Sequence, residues 1–381
     1  MLSLPTQSSP YLVIIDILII FITYITLKGA LKSPYIINKS KYYFAVFLCV
    51  VFCLFPFWGS DWFHYLMFFP LMQKDYELNI EDVYFWIAQN LSPNYLIFRL
   101  IIWGGAFCLY LRIINQINVS RYLALLFFGT IYILWFSYAR VSLSMAIAYF
   151  GLLLMTGNKR PNVLYFIIGI LVTGCAYFFH KSAAFGIAMV LVSLILNSNI
   201  KWGIRLCIIL FPILIVILRS YMGQILYADS SITDETTMQY MQIGQRYAAA
   251  EFVDRGVGQS MAFIFEVIPY YLVAYLGIKI FTSHIGKIIP LNVRPFILLQ
   301  ISIVIFSSAF LFMSEINTQT IYLRFLRFGA VPTSIVMAYM YQNRMYPKLT
   351  RISILIAICG SIYSLLYSVY TSSLIHDSNI L

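Results

Sequence analysis

Apolar positions fall in long unbroken runs, at about 11–27, 42–58, 95–111, 122–138, 141–156, 162–179, 182–197, 202–218, 260–278, 295–313, 328–342 and 352–369. A helix needs about 20 such residues to cross the hydrocarbon of a bilayer, and several runs sit near the short limit for that. The pattern predicts an all-α chain, a polytopic transmembrane helical bundle of about twelve spans, with residues 1–381 forming one integral membrane domain.

Composition narrows the class further. Of 381 residues, 61% are hydrophobic and 10% charged, with a mean hydropathy of +0.85. A soluble globular domain has about 45–50% apolar and about 25% charged residues, and a disordered chain is poorer still in apolar ones. Twelve spans use roughly 240 positions, so no separate soluble domain fits in the remainder.

The net charge of +11 would suggest nucleic acid in a soluble protein, but its distribution gives it another meaning. Sixteen cations lie in alternate connections: Lys28, Lys32, Lys39, Lys41, Arg112, Arg121, Lys159, Arg160, Lys201, Arg205, Lys279, Lys287, Arg294, Arg344, Lys348 and Arg351. No Asp or Glu falls among them. Short loops rich in Lys and Arg stay cytoplasmic, so both termini are expected outside and no nucleic-acid partner is implied. Residues 1–10 carry no positive segment, which argues against a cleaved signal peptide. Two long outward connections remain, 59–94 and 219–259, and the acids share their side of the membrane. Work on a substrate is expected there. All six cysteines lie in apolar runs, where small packing residues are the ordinary reading.

No glycine-rich phosphate loop, zinc-ligand pair or serine elbow is present, so neither a metal nor a cofactor is expected. The informative residues are cations at outward helix ends: Arg140 in SYARVSLSMA, His180 and Lys181 in YFFHKSAA, and Arg324 and Arg327 in YLRFLRFGAVP. Three residues apart on a helix, Arg324 and Arg327 share a face and can grip one anion. A guanidinium offers a planar fork that matches phosphate oxygens. Snorkelling to headgroups is the plainer alternative for each of them, yet the positive-inside bias should have moved such a set to the other side. An imidazole titrates near neutral pH and suits proton transfer from a sugar hydroxyl; a purely structural histidine is the rival reading for His180. Asp61 and His64, in GSDWFHYL, could orient a sugar or act as the base, or be a solvated pair. Arg99 and Glu266 lie inside runs, where charges are costly and face the bundle interior or reach water at the ends. Arg246 and Arg255 lie in the second long connection.

These motifs resemble the Wzy-type polysaccharide polymerases, specifically the EpsG-like branch. The resemblance rests on Asp61 and Tyr65 in a D-x-x-x-Y segment, on Arg140 opening a small-residue helix with Ala146 and Ala148, on His180–Ala183, and on YLRFLRF, and it runs from about residue 59 to 335. Two positions depart from it. Val141 stands where the family often has Gln, and SPNY where it often has an acid before the third helix.

The resemblance implies a fold similar to the GT-C membrane glycosyltransferases, in the bacterial cytoplasmic (inner) membrane, with the active site facing the periplasm or exterior. It implies en bloc transfer of a glycan from undecaprenyl diphosphate to a new lipid-linked repeat unit, building O-antigen, capsule or exopolysaccharide. The partners implied are these two lipid-linked glycans, the surrounding membrane lipids, and a chain-length regulator and flippase of the same pathway. Diphosphate leaves with its own charge, so fixed arginines can stabilise its departure without a metal. On this reading Arg140, Arg324 and Arg327 hold the diphosphate and His180 is the base or orients the hydroxyl, with Asp61 as rival base. Lys181, His64, Tyr65, Arg99, Arg246, Arg255 and Glu266 contact substrate. An O-antigen ligase shares the basic outward mouth. A lipid-linked oligosaccharide flippase should show broken helices in two corresponding halves, which the sequence does not clearly do.

Overall fold

The computed structural model describes residues 39–54, 60–74, 80–117, 119, 139–157, 162–198, 257–283, 286, 288–312, 318–360 and 363, with isolated positions at 18, 21, 22, 25, 26, 205, 209, 210, 213, 215 and 216. Among them every regular element is a helix. They are α1 (Lys39–Leu54), α2 (Ser60–Gln73), α3 (Asp82–Asn90), α4 (Tyr95–Arg99) continued through a π turn (Leu100–Gly104) into α5 (Gly105–Gln116), α6 (Ala139–Thr156), α7 (Val163–Phe179), α8 (Ala183–Ser198), α9 (Val257–Thr282), α10 (Arg294–Ser308), α11 (Thr318–Arg327) and α12 (Ala330–Gln342), followed by a helix over 347–360.

Among the described residues three stretches are long and apolar enough to cross a membrane, Tyr95–Gln116, Phe263–Thr282 and Arg294–Leu311, and Arg140–Thr156, Val163–Phe179 and Ala183–Asn197 are shorter apolar helices. The expected runs at 11–27, 122–138 and 202–218 lie largely outside the described residues. Connection 59–94, expected as a loop, contains α2 and α3. Its aromatic-rich stretch has enough apolar surface to pack, and Tyr65, Phe69, Met72 and Tyr84 are all buried.

Helix α7 presents Val163, Leu164, Phe166, Leu171 and Phe178 outward. An apolar outer surface of this kind suits lipid rather than water. Its other face lies against α6, and the approach is close because both sides are small. A Cβ at Gly151 would stand 2.7 Å from the Gly169 carbonyl oxygen, and one at Gly169 would stand 2.7 Å from that of Gly151. The Thr173 hydroxyl donates across the gap to the Ala148 carbonyl at 3.4 Å. Where lipid removes the hydrophobic drive between helices, small residues that let backbones touch supply the packing.

The rest of the bundle builds outward from this hairpin. Helices α5 and α8 pack on α6, α10 packs on α8, and α9, α11 and α12 pack on α10. At the centre α10 and α12 are buried along nearly their whole length. One end of the α6–α7–α8 group carries Arg140, His180 and the turn that opens α8. The same end receives Phe325 and Phe328, whose rings lie 4.4 and 5.7 Å from that of Phe185.

Candidate functional site

Three helix ends bring three charged or titratable side chains together. Glu81 is the residue before α3, in extended conformation, but its carboxylate does not cap its own helix. It reaches across instead. Oε2 accepts a hydrogen bond from Arg140 Nη1 at 2.8 Å, and Oε1 accepts one from His180 Nδ1 at 2.8 Å.

Each partner is placed by local structure. His180 ends α7, its backbone N–H donating to the Ala176 carbonyl, and its own carbonyl accepts from Ala183 N–H at 2.8 Å. That tight turn stops one helix, starts the next and leaves the imidazole at the mouth. Arg140 lies in the first turn of α6. A cation there faces the positive end of the helix dipole, where an anion would stabilise the helix and a cation does not. Helix stability therefore does not account for Arg140, whereas the Glu81 contact does.

The cluster is half-sheltered: side-chain exposure is 26% for Arg140, 22% for His180 and 12% for Glu81. Burial pushes the Glu81 carboxyl up, but the hydrogen bond from His180 and the charges of Arg140 and His180 outweigh it and hold it at about 2. Glu81 is thus an anion at any physiological pH. The contact on Nδ1 fixes one face of the imidazole, and Nε2 is the nitrogen left to face a substrate.

Behind the cluster stands a wall of rings and cations. The Arg140 guanidinium lies 5.8 Å from the centre of the Tyr65 ring, Tyr65 meets Trp103 edge-on at 5.9 Å, and Arg99 lies 4.9 Å over Trp103. Trp103 belongs to the π turn, an insertion that rotates the helix face and is frequent at functional sites. Arg99 is fully buried; of the two placements its sequence position allowed, interior and water, it takes the interior.

A second charged group joins α9 to α11. Glu266, on α9, accepts through both oxygens from Arg327: Nε meets Oε1, and Nη2 meets Oε2 at 2.9 Å. Both side chains are largely buried. Phe328, the next residue, has its carbonyl held by the Tyr149 hydroxyl of α6. The corner after α11 is therefore pinned from two helices. Arg324, expected to share an anion with Arg327, is exposed, while the fork of Arg327 is engaged by Glu266.

Of the residues singled out from sequence, Arg140, His180 and Tyr65 come together, and Glu266 joins Arg327. Lys181 is exposed in the turn after His180. Asp61 and His64 lie on α2, but their side chains, like the whole of Arg246 and Arg255, lie outside the described residues. Glu81 was not anticipated. The signals available were its place beside Asp82, immediately before a short amphipathic stretch, and the rarity of acids in this chain. Among the described residues no three of His, Cys, Asp and Glu gather in one place.

An all-helical bundle with an apolar outer surface, and with a carboxylate, an imidazole and a guanidinium joined at one end of a helical hairpin, defines a helical membrane protein with a polar mouth. Residues 40–380 match the model of the EpsG family, and the chain belongs to that family. Neither a curated protein nor a solved structure is similar enough to this chain to match it.

Proposed function

We propose that this chain is a polysaccharide polymerase with a GT-C-like fold, joining lipid-linked glycan repeat units at the outer face of the bacterial cytoplasmic membrane. The family supports a polymerase-like role. The observation that carries the chemistry is the two-sided grip of Glu81, with His180 on one oxygen and Arg140 on the other.

The reaction takes a glycan from undecaprenyl diphosphate and adds it to the terminal sugar of a second lipid-linked unit. Nε2 of His180 removes the proton from the acceptor hydroxyl as that oxygen attacks the anomeric carbon of the donor. The bond from that carbon to the diphosphate oxygen breaks, and undecaprenyl diphosphate departs with the electron pair. Glu81, fixed on Nδ1, orients the imidazole and stabilises the imidazolium that forms, as a carboxylate does in a catalytic triad. Arg140 faces the negative charge on the leaving diphosphate, and Arg324, exposed in the last turn of α11, adds a second positive charge to it. Fixed donors aimed at developing charge act most strongly in a dry site, so a metal ion is not required. A flippase that delivers the units and a regulator of chain length are the partners such a reaction needs.

The test is the glycan profile of a strain lacking this chain, complemented with wild type, Arg140→Lys or His180→Ala. Polymer ladders are expected with wild type alone, and single repeat units with the variants at normal protein abundance. Loss of ligated single units as well would point to a ligase. Movement of labelled lipid in vesicles without chain growth would point to a flippase.

A further inference from the structure

Close to the Glu81–His180–Arg140 cluster lies a donor that no acceptor among the described residues meets. Tyr84 is fully buried, and its hydroxyl has no hydrogen-bond partner. It lies in the first turn of α3, with its backbone N–H donating to the Glu81 carbonyl at 2.9 Å. Its ring meets Phe179, the residue before His180, edge-on at 6.4 Å. Tyr84 is therefore packed, fully buried, against the helix end that carries the partly exposed His180. The electrostatic neighbours of its hydroxyl are Tyr65, Glu81 and Arg140.

A buried hydroxyl left unpaired costs stability relative to one that is satisfied, and few survive in folded proteins without a reason. Phenylalanine would fill the same space without that cost. The desolvation is already complete in the resting protein, so an arriving acceptor gains the full hydrogen bond without first stripping water from the donor. Burial also pushes the phenol well above its ordinary range, so it stays neutral and keeps its proton to donate.

We infer that the Tyr84 hydroxyl is a substrate contact, donating to a phosphate oxygen of the lipid diphosphate that Arg140 receives. A neutral donor beside the Arg140 cation suits a phosphate oxygen, while Glu81, already engaged through one oxygen by His180 and through the other by Arg140, is not open to a sugar hydroxyl. The inference rests on the polymerase reading and adds a residue to its anion site.

The experiment compares wild type, Tyr84→Phe and Arg140→Lys in lipid nanodiscs, measuring the thermal midpoint without ligand and the Kd of a short-chain polyprenyl diphosphate. Tyr84→Phe should leave the midpoint unchanged or raise it, because an unmet polar group has been removed, and should weaken diphosphate binding by about tenfold. Unchanged affinity overturns the inference. So does a lowered midpoint, which would mean that the hydroxyl serves the fold. If Arg140→Lys also binds diphosphate like wild type, the polymerase reading of the cluster has failed; if Arg140→Lys weakens and Tyr84→Phe does not, only the role of Tyr84 has.

Discussion

Glu81 and His180, 99 positions apart in the chain, share a hydrogen bond of 2.8 Å between Oε1 and Nδ1. That bond joins the start of a short helix to the end of an apolar helix. It turns a histidine at a helix mouth into an oriented one, and the same carboxylate holds Arg140.

Replacing Glu81 with Gln keeps the shape of the side chain and removes its charge. Chain growth should fall by about a hundredfold or more, the scale of losing an oriented general base, while protein abundance stays near wild type. The glycan ladder beside an immunoblot checks this. Wild-type ladders from Glu81→Gln would show that His180 does not depend on the carboxylate.

The depressed pKa of Glu81 also links folding to pH. A carboxyl held below its unfolded value contributes stability that is fully present above about 4.5 and is lost as pH falls through about 2. The thermal midpoint of wild type in nanodiscs should therefore drop between pH 5 and pH 3 by more than that of Glu81→Gln. Between pH 5 and 8 Glu81 does not change charge, so any acid limb of activity in that window belongs to another group.

The two late arginines should separate. Arg327→Ala leaves Glu266 buried without its partner, a loss of about 3–5 kcal/mol when one member of a buried pair is removed, and abundance should fall. Arg324→Lys keeps a charge at an exposed position but loses the planar fork. Abundance should hold while chain growth falls about ten- to a thousandfold, the range for one lost contact to a developing charge. Full-length ladders from Arg324→Lys would remove it from the anion site.

With arginines supplying positive charge to the leaving group, chain growth in purified membranes should survive EDTA. A strict requirement for magnesium or manganese, restored by titration, would assign that task to a metal.

Orientation is open to a direct check. Cations crowd the alternate connections without acids, so a reporter fused near residue 235 should read as periplasmic or extracellular and one near 285 as cytoplasmic. The reverse at both positions would turn the cluster toward the cytoplasm.

The helices that run as uninterrupted apolar stretches were legible in the sequence to within a few residues. The runs 141–156, 162–179 and 182–197 correspond to α6, α7 and α8, because a helix in lipid must satisfy its backbone internally and shows itself by length alone. Helices α2 and α3 were not legible. Their apolar residues are interrupted by charges and by Pro70, and their burial comes from neighbours distant in the chain. Arg140 and His180 stood out because cations at helix ends expected to face outward oppose the charge bias. Glu81 could not be paired with them from spacing, since its partners lie 59 and 99 residues away. The pairing of Arg327 with Glu266 was equally hidden. Helical spacing puts both on one side of α11, and only the approach of α9 decides which of them meets Glu266.

The touching backbones at Gly151 and Gly169 form the fulcrum of a pair of scissors with equal arms. Arg140 lies eleven residues from Gly151 along α6, and His180 lies eleven from Gly169 along α7, each about 16 Å at a rise of 1.5 Å per residue. A single methyl group wedged at the fulcrum pries the blades apart, and the arms carry that splay to the tips, where Glu81 spans the two. The spacing of Arg140 and His180 is thus gauged by the absence of two side chains at the crossing of their helices.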